Sequence, residues 1–234
     1  MFYPRFFFDP TYVFVIAGVV ISLFASSRMN ATFAKYGNVI SRSGLTGREA
    51  ATKILQFNGI YDVRVERVSG KLTDHYDPQK KVLRLSDATY NQTSVAAIGV
   101  AAHECGHAIQ HHTGYVPLRL RGALVPVVNI GSSLSWPLII IGLIIHSQSS
   151  AIFINLGILL FSLVVIFQLV TLPVEMNASS RALTAVSNAG LLYDDEVIMT
   201  QKVLRAAAMT YVAGVASSAL QLLRILLLTR GRRD

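Results

Sequence analysis

Long apolar stretches without charged residues constrain the fold of this chain more than any other feature. Three of them, residues 11–27, 122–148 and 149–174, contain no Asp, Glu, Lys or Arg. A helix needs about 20 apolar residues to cross the hydrocarbon core of a membrane, and about 17 is the lower limit. We therefore expect one short membrane span near the N-terminus, followed later by a membrane hairpin that turns around residues 146–150.

A fourth apolar stretch, residues 206–228, has a single charged residue, Arg224, close to its end. From there a long side chain can reach the polar interface of the membrane. Small and polar residues share one helical stripe, a pattern that suits packing between membrane helices: Thr210, Gly214, Ser217, Gln221 and Arg224. We expect a fourth span here; the alternative is a helix that lies on the membrane surface or against a soluble domain.

Composition agrees with a membrane protein and excludes several other classes. The chain has 234 residues, of which 52% are hydrophobic and 15% are charged, whereas soluble domains have roughly 25% charged residues. Disorder is excluded because it requires few apolar residues and much charge. The single cysteine, Cys105, excludes a disulfide framework and a multi-cysteine zinc module. The net charge of +8 is then best explained by basic loops beside a lipid bilayer, and we expect no nucleic-acid partner.

The distribution of Lys and Arg predicts how the chain is oriented. Two polar stretches, 28–121 and 173–205, are separated by an even number of spans and so lie on the same side of the membrane. Near the membrane ends that side carries eight Lys and Arg, against four on the other side if the fourth stretch spans, or eleven against one if it does not. Basic residues favour the cytoplasmic side, so we expect a multi-pass protein of the cell membrane with both polar stretches in the cytoplasm.

These observations divide the chain into five segments. We expect an uncleaved transmembrane anchor (1–27), a small folded domain (28–121), a transmembrane hairpin (122–172), a second polar segment (173–205), and an apolar helix with a basic tail (206–234).

The polar stretch 28–121 predicts a helix, a short sheet and a second helix. Thr46 and Glu49 form a capping box that starts a helix, and we expect it to end near Phe57. Residues 61–65 alternate as a half-buried strand does, residues 81–85 follow as a second strand, and a helix resumes near Thr93. The predicted fold class is therefore a mainly α membrane protein with about four transmembrane helices and a small α+β domain.

The helix after the predicted strands contains His103-Glu104-Cys105-Gly106-His107. Two histidines at positions i and i+4 share one helical face, so both imidazoles can bind one Zn²⁺. Glu104 is rotated by about 100° from His103 and lies beside that site, where it can accept a proton from an attacking water. The alternative is that both histidines are ordinary core residues, but burying three ionisable groups without partners is costly.

A catalytic zinc ion requires a third protein ligand and one open position. His111 lies about 12 Å beyond His103 along the helix axis, so a continuous helix cannot bring both to one ion. Glu175 is the only acidic residue between Glu104 and Asp194, and it follows directly after the third apolar stretch. It is therefore the predicted third ligand.

The surroundings of Glu175 support this prediction. Pro173 is typical of the first turn of a helix. Small residues lie on or near the same helical face and would allow close approach to the histidine-bearing helix: Ala178, Ser179 and Ala182. The alternative is that Glu175 only complements a helix dipole or pairs with Arg181.

Residues 72–78, 101–110 and 173–182 together resemble the YugP-type membrane zinc metallopeptidases, a gluzincin-like group, and the resemblance extends over nearly the whole chain. It implies a zincin-like domain and a neutral peptidase that binds one Zn²⁺ per chain. The implied ligands are His103, His107 and Glu175, with Glu104 as the general base. Broader membrane gluzincins often have Asp four residues after the ligand Glu, whereas this chain has Ser179.

The predicted reaction is hydrolysis of a peptide bond in a peptide or a membrane protein. Candidates for contacts with the substrate or the transition state are His75, Tyr76, Asn177 and Arg181. The rival prediction is a non-catalytic membrane scaffold or regulator with a structural zinc site. The sequence does not decide which partner subunits, if any, the protein has.

Overall fold

A computed structural model describes residues 9–145 and 150–230 of the chain. Within these residues there are six helices: α1 (Tyr12–Gly37), α2 (Gly47–Phe57), α3 (Val95–His112), α4 (Val116–Ile144), α5 (Ser150–Asn188) and α6 (Asp194–Arg230). Three short strands lie between α2 and α3: β1 (Arg64–Arg67), β2 (His75–Asp77) and β3 (Val82–Leu85). Residues 146–149 of the predicted hairpin turn, Arg5 and the end of the basic tail lie outside the described residues.

Four helices, α1, α4, α5 and α6, are long and apolar enough to cross a membrane. The predicted class, a mainly α membrane protein with a small sheet, is confirmed. The helices continue beyond the apolar stretches that predict them, since α1 ends at Gly37 and α5 at Asn188.

Pro173 does not start a helix, and that prediction is wrong. It lies inside α5, so the third apolar stretch and the segment with Glu175 form one continuous helix. A proline inside a helix removes one backbone hydrogen bond and costs about 3 kcal/mol in water, but membrane helices tolerate it because neighbouring groups satisfy the freed carbonyl. The same occurs at two positions of α4, Pro126 and Pro137.

The chain forms two compact units, and the first consists of residues 1–25, 120–171 and 210–234. Its helices approach closely at small residues: a Cβ added to Gly157 would lie 2.6 Å from Ile139 Cγ1. Ser217, on the predicted polar stripe of α6, donates a hydrogen bond to the Gly18 carbonyl oxygen at 2.9 Å. Arg224, on the same stripe, lies over the Tyr12 ring at 4.4 Å.

The second unit, residues 26–119 and 172–209, contains the sheet, α2 and α3. The strand order is β1-β3-β2, with β1 parallel and β2 antiparallel to β3. The predicted strand at 61–65 begins later, at Arg64, because Tyr61 is 79% exposed and pairing with β3 starts only at Arg64. β2 was not predicted. The predicted capping box of α2 is present, and Ser94 caps α3.

The core of the second unit forms around α3. Buried apolar side chains come from α2, β3, α3, the C-terminal part of α5 and the N-terminal part of α6. They include Ile54, Leu83, Leu85, Ile98, Ala102, Ala182 and Leu204. Because seven of the 18 residues of α3 are Ala or Gly, neighbouring elements pack close to its backbone. This packing fixes the position of the histidine-bearing turn.

Candidate metal centre

Helix α3 presents His103 and His107 to the part of α5 that carries Glu175. The two helices meet at Gly106, where an added Cβ would overlap the carbonyl oxygen of Ala178 and lie 3.0 Å from its carbonyl carbon. Ala178 and Ala182 are fully buried. The predicted close approach of two small-residue faces is thus present, and glycine at 106 is required for it.

Three side chains converge at this crossing. Glu175 Oε2 lies 3.2 Å from His103 Nε2 and 3.5 Å from His107 Nε2. The two imidazole rings are 4.8 Å apart, edge to face, and Glu175 is 2% exposed. One ligand atom from each of the three residues lies within 4.8 Å of the other two.

This donor set fits a zinc ion. Two imidazole nitrogens and one carboxylate oxygen are a common ligand set of catalytic zinc sites, which keep a fourth position open. Mg²⁺ and Ca²⁺ prefer oxygen ligands alone.

The electrostatics of the site favour positive charge. Burial opposes the charged form of His107, but the hydrogen bond to Glu175 and the charges of Glu104 and Glu175 outweigh burial and raise the pKa of His107. The same two carboxylates that favour a proton on this imidazole would also attract a metal cation bound to it.

The second nitrogen of each imidazole has a partner that sequence reasoning did not select. His107 Nδ1 lies 3.0 Å from Gln110 Oε1, and His103 Nδ1 lies 3.2 Å from Ser179 Oγ. Gln110 is three residues after His107, so helical spacing gives a signal for it. Ser179 occupies the position four residues after Glu175 and contacts the histidine with a hydroxyl instead of a carboxylate.

Glu104, the predicted general base, lies between the two histidines in sequence. Its side chain is on α3 and is 8% exposed. Among the described residues, the group of three possible ligands consists of His103, His107 and Glu175 and does not include Glu104.

The four predicted substrate or transition-state residues all have other contacts. His75 on β2 contacts the Thr73 carbonyl oxygen through Nδ1 and Arg84 through Nε2. The Tyr76 hydroxyl lies 2.9 Å from His111 Nδ1.

Burial, followed by the charges of Asp62 and Asp77, raises the pKa of Tyr76 to about 12.

Asn177 and Arg181 contact each other on α5. Arg181 Nε donates to Asn177 Oδ1 at 2.8 Å, and the guanidinium lies 5.8 Å from the centre of the Tyr115 ring. Asn177 Oδ1 also accepts a hydrogen bond from Gln110 Nε2 at 3.0 Å, which connects this pair to the histidine site.

Fold and site together define a membrane protein with a candidate zinc centre, and comparison with known proteins places it more narrowly. A family described as "putative neutral zinc metallopeptidase" matches residues 11–230, and the chain belongs to this family. The chain is 46% identical over 219 residues to a Bacillus subtilis (strain 168) protein named "Putative membrane protease YugP", covering 94% of this chain and 96% of that protein. No solved structure is detectably similar to the chain.

Proposed function

We propose that this protein is a membrane-integrated, gluzincin-like zinc metallopeptidase that cleaves internal peptide bonds. The observation that carries the proposal is the convergence of His103, His107 and Glu175 within 4.8 Å, next to Glu104 in a His-Glu-x-x-His sequence. Membership of the zinc metallopeptidase family supports the same function.

The proposed role of each residue follows from the chemistry of its side chain. His103, His107 and Glu175 would hold one Zn²⁺ per chain. When bound, this ion would polarise the scissile carbonyl and make water acidic enough to attack near neutral pH. Glu104 accepts the proton of the attacking water and then delivers it to the nitrogen of the leaving amine.

A hydrogen-bond donor is also needed where negative charge develops on the carbonyl oxygen. His75, Tyr76, Asn177 and Arg181 stay our proposed candidates for this role or for binding the substrate backbone. The hydroxyl of Tyr76 is protonated at neutral pH, as that of an ordinary tyrosine is, and its O–H can donate a hydrogen bond.

The decisive test of catalysis is Glu104→Gln in the full-length protein. We expect zinc stoichiometry to stay unchanged and peptide cleavage to fall by at least about 10²-fold, because the amide cannot accept the proton. Glu66→Gln is the matched control, since Glu66 lies on β1 with a side chain that is 40% exposed. Turnover retained by Glu104→Gln would exclude Glu104 as the base. Zinc bound by a wild-type protein that cleaves no peptide would favour the scaffold with a structural zinc site.

The third ligand is tested separately by Glu175→Ala. We expect loss of zinc, measured as metal content after dialysis against a weak chelator, because only the two imidazoles remain. Unchanged zinc content would remove Glu175 from the ligand set.

We further propose that the site lies on the cytoplasmic side of the cell membrane. With four spans, eight Lys and Arg lie near the membrane ends on the side of the polar segments and four on the opposite side, a bias that favours the cytoplasm for the larger number. The proposed substrates are peptides or membrane proteins, and the lipid bilayer is the expected surrounding.

A further inference from the structure

The side chain of Gln110 is fully buried and uses every hydrogen-bonding group that its amide offers. Its Nε2 donates to the Val174 carbonyl oxygen at 2.8 Å and to Asn177 Oδ1 at 3.0 Å. Its Oε1 lies 3.0 Å from His107 Nδ1. One amide therefore joins a histidine of α3 to the turn of α5 that contains Glu175.

The chemistry of the partners fixes how this amide is oriented. The Val174 carbonyl can only accept a hydrogen bond, so the NH₂ group of Gln110 must face it. Asn177 Oδ1 accepts from Arg181 Nε as well, which identifies this Asn177 atom as an oxygen and requires a donor opposite it. The remaining atom, Gln110 Oε1, then accepts from His107, so the proton of His107 is on Nδ1.

In the protonated imidazole both nitrogens carry protons, and Nε2 faces Glu175 Oε2 at 3.5 Å. When the ring is neutral, a proton held on Nδ1 by Gln110 leaves the lone pair on Nε2. An imidazole can bind a metal only through a nitrogen without a proton. The contact of His103 is different, because the Ser179 hydroxyl can either donate or accept and does not by itself select a tautomer.

We propose that Gln110 is the positioning residue of this centre: it holds neutral His107 with Nε2 free and fixes the turn of α5 that contains Glu175 against the same histidine. The proposal rests on the proposed zinc function, and it assigns to one neutral amide the alignment of ligands from two helices. Residues that orient metal ligands typically change metal affinity or activity by about 10- to 100-fold when they are replaced.

The main test replaces Gln110 with Met, which has similar volume but no hydrogen-bonding group, in the full-length protein in detergent. We expect zinc affinity, measured by competition with a chelator, to fall by about 10- to 100-fold. The absorption spectrum of the Co²⁺-loaded protein should also change, because the ligand geometry is altered. Gln92→Met, at an exposed glutamine of the same unit, should leave both unchanged.

A readout without any metal separates positioning from a general loss of stability. In ion-free protein labelled with ¹⁵N-histidine and kept at alkaline pH, the ring signals that disappear in His107→Gln belong to His107. We expect the Nδ1–H form in the wild type and loss of that preference in Gln110→Met. Gln110→Glu keeps an acceptor for His107 and should retain the Nδ1–H form. A merely structural role predicts the same tautomer in every folded variant.

The outcomes separate the two proposals. A wild type that binds no zinc contradicts the proposed function, while the ¹⁵N experiment still tests the role of Gln110. A zinc-binding wild type whose Gln110→Met variant has the same zinc affinity and the same tautomer overturns the role of Gln110 alone. If Gln110→Met does not fold, the wild type decides, because an Nε2–H form of neutral His107 in the wild type contradicts the inference.

Discussion

Ser179 gives His103 a neutral partner where a carboxylate would provide charge. The hydroxyl oxygen lies 3.2 Å from His103 Nδ1, close enough to orient the ring. A carboxylate in this position would also make the imidazole more basic and strengthen its bond to a metal. The Ser179 hydroxyl can therefore orient the His103 ring, but it does not make the ring more basic.

Ser179→Ala tests that contribution. We expect zinc affinity to fall by about 10-fold, at the lower end of the range for residues around a metal site, with little change in stability. Chelator competition measures the affinity. Ser180→Ala is the control, because Ser180 is the neighbouring residue and is exposed; equal affinities for both variants would show that the hydroxyl does not orient His103.

The sequence predicts contacts between residues only where helical spacing places them together or where a single residue of the required type is present. The i, i+4 spacing of His103 and His107 needs nothing more than a helix, and Glu175 is predicted because no other acid lies between Glu104 and Asp194. Gln110 bonds a carbonyl 64 residues away, and Ser179 contacts a histidine 76 residues away. Such pairs follow from the register of α3 on α5, which no local pattern specifies.

At the level of whole elements, the crossing of α3 and α5 determines the site. Gly106 lies against the Ala178 backbone so closely that a methyl group has no room. Ala178, the residue at this contact, is completely buried. Since His107 directly follows Gly106, any separation of the helices would move Glu175 away from the imidazoles.

Gly106→Ala should therefore destabilise the protein although alanine favours helices. Overpacking typically costs about 1–3 kcal/mol, against a gain of about 1 kcal/mol in helix propensity, and zinc affinity should fall because the helices move apart. Gly37→Ala is the control, since an added Cβ there meets nothing within 4 Å. Denaturant unfolding and chelator competition measure the two effects; wild-type zinc affinity in Gly106→Ala would contradict a tight crossing.

Elements with local capping and periodic patterns are predictable, and elements fixed by distant partners are not. Thr46 and Glu49 identify the start of α2 because the capping box is made within four residues. β2 has only three residues and exists through its pairing with β3, so no pattern of its own marks it. Pro173 misleads because its usual position is a helix start, whereas α5 continues through it.

At the scale of the whole molecule, the side of the membrane on which the site lies determines which substrates it can reach. If all four candidate helices cross the membrane, the proposed topology has the hairpin turn on the side opposite the polar segments. The basic residues 230, 232 and 233 then lie on the side with fewer charges, so the cytoplasmic proposal depends on the eight basic residues near the polar segments.

The orientation can be measured by labelling introduced cysteines, because the single native cysteine reacts too slowly to interfere. Cys105 is fully buried and donates to the Ala51 carbonyl oxygen, and burial, followed by the charge of Glu104, raises the pKa of its thiol well above the ordinary value. Because the thiolate is the form that reacts, the wild type should be labelled very slowly by a maleimide. A cysteine introduced on the surface then reports its own side of the membrane.

Lys53→Cys places such a reporter on α2, at an exposed position of the unit that contains the site. A membrane-impermeant maleimide should label it only after the cells are permeabilised, because the proposed topology puts this unit in the cytoplasm. Ser147→Cys, between the two hairpin spans, should show the opposite behaviour and react in intact cells. If Lys53→Cys reacts in intact cells and Ser147→Cys does not, the orientation is reversed and the proposed substrates must be sought outside the cytoplasm, while the zinc site itself is unaffected.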